Sequence, residues 1–212
     1  MHGVALVIVM ALPKGRIFDA SLSFLAGCGI SLPPDTASTR KLQLDSSDGR
    51  YRFILVKAID VPIYVEYGAA DAGICGTDVL RELAPDVHQP LDLKFGRCRM
   101  VVAGRGTEDG NARPAPRIAT KYPRIAEQFF RQRGKAVEVI PVSGSVELAP
   151  ALGLAELIVD LVETGNTLRE NGLVVVDEIM QCTARLIINR ASFHTRQKEI
   201  SALLDCMERR LS

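Results

Sequence analysis

The stretch Leu157-Ile158-Val159-Asp160-Leu161-Val162-Glu163-Thr164-Gly165-Asn166-Thr167-Leu168 decides how the rest of the chain is read. Its first half is apolar except for Asp160, and a run of that length bounded by turn residues reads as a buried parallel strand. A small polar loop follows, Glu163 to Asn166, and the spacing predicts a short helix from Thr167. In a strand–loop–helix unit of this kind a ligand sits at the carboxyl end of the strand. The loop chemistry suits a phosphate monoester. Gly165 lets the backbone come close, Thr164 and Thr167 offer hydroxyl donors, and N–H groups at the helix start face the anion. Asp160, near the strand end, is placed to accept hydrogen bonds from sugar hydroxyls beside the phosphate. The same residues also describe an ordinary strand, turn and helix with Thr167 as the N-cap. The loop by itself leaves both readings open.

Composition narrows the surroundings. The chain has 212 residues, 47% apolar and 24% charged, an ordinary globular composition with material for one large domain or two smaller lobes. A formal net charge of +1, with no basic run, argues against the broad electrostatic footprint of a nucleic-acid binder, so any anion site must be local. Residues 4–12 are apolar, but no positive residue precedes them and Pro13-Lys14-Gly15-Arg16 follows at once. They read as a buried first strand, not a targeting segment. No apolar run approaches the roughly 20 residues of a membrane span. Five cysteines, Cys28, Cys75, Cys98, Cys182 and Cys206, are an odd number without close pairing and read as reduced thiols of a cytoplasmic chain. His2, His88 and His194 stand away from them, which argues against a zinc site.

The order of elements is that of an α/β protein. After the first strand, Ile17, Ala20, Leu22, Phe24 and Leu25 fit the buried face of a helix that Gly27 or Gly29 ends. Lys14 and Arg16 stand at a strand's carboxyl end, where they either neutralise a polyphosphate or are two solvated charges in a turn. Pro33-Pro34 marks a loop. Residues 41–44 and 51–56 read as strands joined by Ser46-Ser47-Asp48-Gly49. Among Arg40, Arg50, Arg52 and Lys57, only Lys57 ends a strand and is favoured for function. Asp60 is expected to cap a helix with Pro62 in its first turn and Gly68 at its end. Residues 70–80 then read as a strand, a glycine loop and a helix start, a layout parallel to 157–168. Two ligand-facing loops from two halves of the chain suggest two lobes closing on a cleft. Strands are expected at 91–95, 99–103, 117–119, 137–142, 174–179 and 183–189. A polar loop is expected at 104–116 and a helix from Pro123 to Arg133 ended by Gly134. The last helix carries Ile200, Leu203, Leu204, Met207 and Leu211 in one apolar stripe, which ordinarily packs on the chain's own sheet.

Residues 144–173, GSVELAPALGLAELIVDLVETGNTLRENGL, resemble the phosphoribosyl-pyrophosphate (PRPP) binding region of the ATP phosphoribosyltransferase family, which opens histidine biosynthesis. The resemblance extends over nearly the whole chain, through LPKGR at 12–16, DVPIYVEYGAADAGICGTD at 60–78 and ATKYP at 119–123. The family's Gly-Ile-x-Gly-x-Asp pattern is matched by Gly73, Ile74, Gly76 and Asp78. One feature differs from the ordinary phosphoribosyltransferase loop, which follows two adjacent acidic residues; here Asp160 alone stands at the strand end.

The resemblance implies a two-lobed, periplasmic-binding-protein-like (type II) architecture with a ligand cleft, lobe I being 1–93 plus 179–212 and lobe II 94–178. It implies transfer of phosphoribosyl from PRPP to N1 of the adenine of ATP, with release of pyrophosphate. It assigns the 5′-phosphate to Thr164, Gly165, Asn166, Thr167 and Leu168, and the ribose hydroxyls to Asp160 and Glu147. Lys14, Arg16 and Lys57 would face phosphates as the catalytic cations, with Lys14, Gly15, Arg16, Gly76 and Asp78 on the ATP side. Magnesium (Mg2+) is expected to arrive on the pyrophosphate with no dedicated protein ligands. The chain resembles the short form, which lacks the histidine-binding C-terminal domain of longer members. It is therefore expected to form a homodimer and to join a separate regulatory subunit resembling histidyl-tRNA synthetase. A solute-binding protein and a non-catalytic subunit keeping the loop as an effector site are the rival readings, and both predict binding without turnover.

Overall fold

The computed structural model describes residues 7–33, 41–106 and 114–212. Expectations on residues 4–6, His2, Pro34, Arg40 and the middle of the 104–116 loop lie outside these. In chain order the first elements are β1 (Ile8–Lys14), α1 (Phe18–Gly27), β2 (Gln43–Asp45), β3 (Tyr51–Lys57), α2 (Val61–Glu66), β4 (Ala72–Gly76), α3 (Thr77–Leu83) and β5 (His88–Asp92). Next come β6 (Cys98–Gly104), β7 (Arg117–Thr120), α4 (Pro123–Gln132), β8 (Glu138–Pro141), α5 (Leu148–Ala151), β9 (Leu157–Val162) and α6 (Asn166–Glu170). The chain closes with β10 (Val174–Cys182), β11 (Ala184–Ile188), α7 (Arg190–Thr195) and α8 (Gln197–Leu211). Among the described residues no helix is long and apolar enough to cross a membrane. The chain forms two compact units, Met1–Gly96 with Thr183–Ser212, and Arg97–Cys182. It thus crosses over a few residues later than the expected 93/94 and 178/179.

The first unit is built on a sheet of order β2-β3-β1-β4-β11-β5. β1 lies parallel to both β3 and β4, while β2, β11 and β5 join antiparallel. Both faces are covered, which is why β1 is apolar from Ile8 to Pro13. Ile8, Met10 and Leu12 meet α1 and α8 through Phe24, Leu25, Ile200, Leu203 and Met207. Ala11 and Val9 face the cluster of α2 and α3 with Val61, Val65, Val79 and Leu80. The terminal stripe therefore packs on its own sheet. Gly29 (φ +73°) ends α1, with the Ile30 amide donating to the Leu25 carbonyl and the Gly29 amide to Ala26, both at 2.9 Å; this is the Schellman arrangement.

The second unit has the sheet order β10-β6-β9-β7-β8. β9 is parallel to β7 but antiparallel to β6, so the expected parallel strand is parallel on one side only. On one face α4 buries Ile125, Ala126, Phe129 and Phe130 against Met100, Val102, Ile118 and Val159. On the other, Val146, Ala149 and Leu168 pack over Val101, Ala119, Ile158 and Val162.

Several element ends differ from the sequence reading. β1 runs on to Lys14, so the turn is Gly15 to Ile17, with Gly15 at φ +104°. Asp60 closes a short 3-10 turn, Ala58–Asp60, and makes no side-chain cap; Pro62 does stand in the first turn of α2. No loop separates β4 from α3, since the strand passes into the helix at Gly76. The expected strand at 91–95 is β5, His88–Asp92; Lys94 at φ +63° and Gly96 at φ +62° break extended geometry beyond it. α6 begins at Asn166 after Gly165 at φ +78°, so Thr167 lies inside the helix and is not its N-cap.

Candidate active site

In the first unit the candidates gather along one edge of the sheet. Parallel register sets Lys14 directly beside Lys57 at the carboxyl ends of β1 and β3. Neighbouring strands lie about 4.8 Å apart, so two like charges meet there, both exposed to solvent. Such a pair is unfavourable by itself and is relieved by an anion. β4, on the other side of β1, ends at Gly76 on the same edge. Arg16 follows the Gly15 turn and donates to the Gly96 carbonyl at 2.9 Å, so part of its guanidinium serves the fold.

The two glycines of the Gly73–Gly76 motif have different tasks. A Cβ on Gly73 would stand 2.9 Å from Val61 Cγ1 and 3.1 Å from the Ala11 carbonyl oxygen, so its absence lets α2 lie close on the sheet. A Cβ on Gly76 would collide with a carboxylate oxygen of Asp78, which folds back over the strand end. Asp78 is buried. Burial pushes the neighbouring Cys75 thiol well up, the Asp78 carboxylate adding to the effect, and a thiol held neutral is no nucleophile. Thr77 fixes this corner, its hydroxyl and amide donating to the Thr183 carbonyl at 2.8 and 2.9 Å.

In the second unit Glu147, Asp160 and the loop belong to one face of the sheet. Strand alternation puts Asp160 with Ile158 and Val162, and those two share a cluster with Val146, Ala149 and Leu168. Glu147 holds the N-cap position just before α5, between Val146 and Leu148. Thr164, Asn166 and Thr167 are exposed and Leu168 is buried, 5% accessible. The side chain of Leu168 is therefore an anchor, and only its backbone can serve a ligand. Gly165 holds the left-handed conformation that ordinary residues adopt at a cost of roughly 1–2 kcal/mol. α6 closes with Leu173 and Gly172 amides donating to Leu168 and Arg169 carbonyls at 2.9 and 3.0 Å. Thr120, in the ATKYP segment, bonds the Val159 carbonyl at 2.7 Å and accepts from the Tyr122 amide at 2.9 Å, pinning β7 to β9 just before Asp160.

Two residues of this neighbourhood escaped the sequence reading. Arg169 donates to Asn166 Oδ1 and, at 3.5 Å, to the Thr164 carbonyl. Its only sequence signal is the i, i+3 spacing from Asn166. Thr120 carried no signal beyond its place in ATKYP. Among the described residues no three His, Cys, Asp or Glu side chains gather as a metal site.

The fold defines the class first. A solved periplasmic domain, BvgS VFT2 of Bordetella pertussis, superposes with a TM-score of 0.60 at 16% identity, covering 97% of this chain and 88% of that one. At that identity the likeness speaks for the fold alone. The family follows from closer likenesses. The ATP phosphoribosyltransferase family model matches residues 57–209. The ATP phosphoribosyltransferase of Thermoanaerobacter sp. (strain X514) is 51% identical over 93% of this chain and 92% of its own. The chain also superposes with a TM-score of 0.83 at 34% identity on the ATP phosphoribosyl transferase (HisG:HisZ) complex from Thermotoga maritima, covering 96% of this chain and 98% of that one. The chain belongs to the ATP phosphoribosyltransferase family.

Proposed function

We propose that the second unit holds PRPP and the edge of the first unit holds phosphates of ATP, in the reaction of this family. That reaction transfers phosphoribosyl from PRPP to N1 of ATP, gives phosphoribosyl-ATP and pyrophosphate, and begins histidine biosynthesis. The observation that carries this reading is the shared face of Glu147, Asp160 and the 164–168 loop. A phosphate on the loop amides and the Thr164 and Thr167 hydroxyls would leave the ribose hydroxyls facing the two carboxylates. Breaking the bond from the anomeric carbon to the pyrophosphate oxygen builds positive charge on the sugar and negative charge on the leaving group. Acceleration then rests on positioning and on cations aimed at the departing charge, with no protein nucleophile. Lys14 and Lys57, adjacent at two strand ends, are the natural pair for a polyphosphate, with Arg16, Gly15, Gly76 and Asp78 completing the nucleotide side.

Magnesium enters this reading as part of the substrate, carried by the diphosphate of PRPP. Hard cations of this size are commonly held through substrate phosphates. We also infer a cytoplasmic, dimeric chain that works with a separate regulatory subunit, as the name of the Thermotoga complex suggests for that protein. The test is turnover: ATP, PRPP and magnesium are mixed with the chain, alone and with the regulatory subunit, and phosphoribosyl-ATP is followed by absorbance. Product in either mixture that disappears with excess chelator supports the reading. Binding of both substrates without product in either mixture returns the chain to the rival non-catalytic readings, and full activity under chelator overturns the role given to magnesium.

A further inference from the structure

The loop that receives the phosphate in the reading above is a poor candidate for standing alone. Its pivot is a glycine at φ +78°, the residue type that loses most freedom on ordering. The helix after it, α6, has only five residues, far below the length at which a helix holds itself. Something outside the loop backbone has to hold it, and two devices do so. Leu168 and Leu173 are sunk in the apolar cluster, which fixes the far end of α6. At the near end, Arg169 reaches back over the pivot. Its backbone amide donates to the Gly165 carbonyl at 3.1 Å. Its guanidinium takes the Asn166 side-chain oxygen and, at 3.5 Å, the Thr164 carbonyl, one partner on each side of Gly165. One of its nitrogens lies 3.6 Å from the place a Cβ of residue 165 would occupy.

We propose that Arg169 is a positioning residue for PRPP: its guanidinium forks across Gly165 to Thr164 and Asn166 and so sets the loop in shape before the phosphate arrives. The Asn166 side chain belongs to this brace and leaves its backbone amide for the ligand. Preorganisation of this kind raises affinity by removing an ordering cost from the binding step. The geometry depends on the planar fork. A lysine carries the same charge but, as a single ammonium, cannot span both acceptors.

This inference rests on the assignment of the loop to PRPP, and the test separates the two. Affinities of the full-length chain for magnesium–PRPP and for ATP are measured by titration calorimetry for Arg169→Ala, Arg169→Lys, Asn166→Ala, the Arg169→Ala/Asn166→Ala double variant and Gly165→Val, each checked for native melting. Arg169→Ala is expected to weaken PRPP about tenfold, the scale of one hydrogen bond to a charged group, and to leave ATP affinity unchanged. Arg169→Lys should fall within about twofold of Arg169→Ala. The double variant should be no weaker than the weaker single variant, because both remove one brace. Wild-type affinity in Arg169→Lys would show that charge acts and not the fork, and additive losses in the double variant would show two independent contacts; either overturns the brace. If Gly165→Val loses PRPP while Arg169→Ala does not, the brace falls and the loop assignment stands. If neither loses PRPP, both fall.

Discussion

Asp71 is where a single side chain does most for the first unit. Its carboxylate accepts from the Val9 amide at 2.8 Å, the Ser192 hydroxyl at 2.8 Å and the Arg196 guanidinium at 2.5 Å. Arg196 in turn donates to the Val7 carbonyl at 2.9 Å, so the first strand and the C-terminal helices are tied through one buried charge. Asp71→Ala leaves Arg196 uncompensated and should destabilise by about 3–5 kcal/mol; chemical denaturation showing a loss below about 1 kcal/mol would contradict this. Nothing in the sequence pointed to Asp71, because its partners stand 121 and 125 residues away. Lys57 was visible for the opposite reason: a cation closing an apolar run needs no distant partner to be noticed. Cys28 gives a pH test. Burial first, then the hydrogen bond with Cys206, pushes its thiol from 9.0 up to about 12. A raised folded value means that any stability linked to this proton is intact below pH 9 and is lost as pH rises from 9 towards 12. Iodoacetamide at pH 8 should therefore modify Cys28 in the native protein much more slowly than in the urea-unfolded chain. Equal rates would contradict the shift.

At the scale of elements, β9 and the small helix after it were readable because an apolar run, a glycine and a cluster of hydroxyls fall within twelve consecutive residues. The exact start of α6 was not, since the left-handed Gly165 takes the N-cap position, two residues before the Thr167 hydroxyl that suggests one. α5 and α7 were missed. α5 is four residues with Pro150 inside it, too short for any periodicity to register. α7 is marked by Asn189, whose side chain accepts from the Ser192 amide at 2.9 Å; the sequence reading instead placed Asn189 at the end of a strand. The glycine motif of β4 was recognised as a motif but its physical basis lies in the packing of α2. Gly73→Ala is expected to push that helix from the sheet and cost about 1–3 kcal/mol, the usual range for overpacking. Thermal melting should show it, with substrate affinities changing only through that displacement. An unchanged melting temperature would mean that Val61 and Val65 yield freely.

At the scale of the molecule, the α/β class followed from the alternation of strands and helices, whereas sheet order could not. β11 joins the first sheet after the chain has built the whole second one, and no local pattern announces such a return. The same return places α8 on the sheet that begins with β1. Because the terminal stripe is used there, it is not spare surface for a partner. Histidine feedback is expected to require the regulatory subunit: the purified chain should be insensitive to histidine, and adding the subunit should confer inhibition. Strong inhibition of the chain alone would mean an effector site within these 212 residues. The division of substrates between the two units is tested most directly by Gly165→Val, titrated with magnesium–PRPP and with ATP. Valine at φ +78° distorts the loop, so PRPP affinity should fall by about 1–3 kcal/mol or more while ATP affinity stays as in the wild type. Equal losses for the two ligands, or PRPP binding left intact, would contradict the assignment.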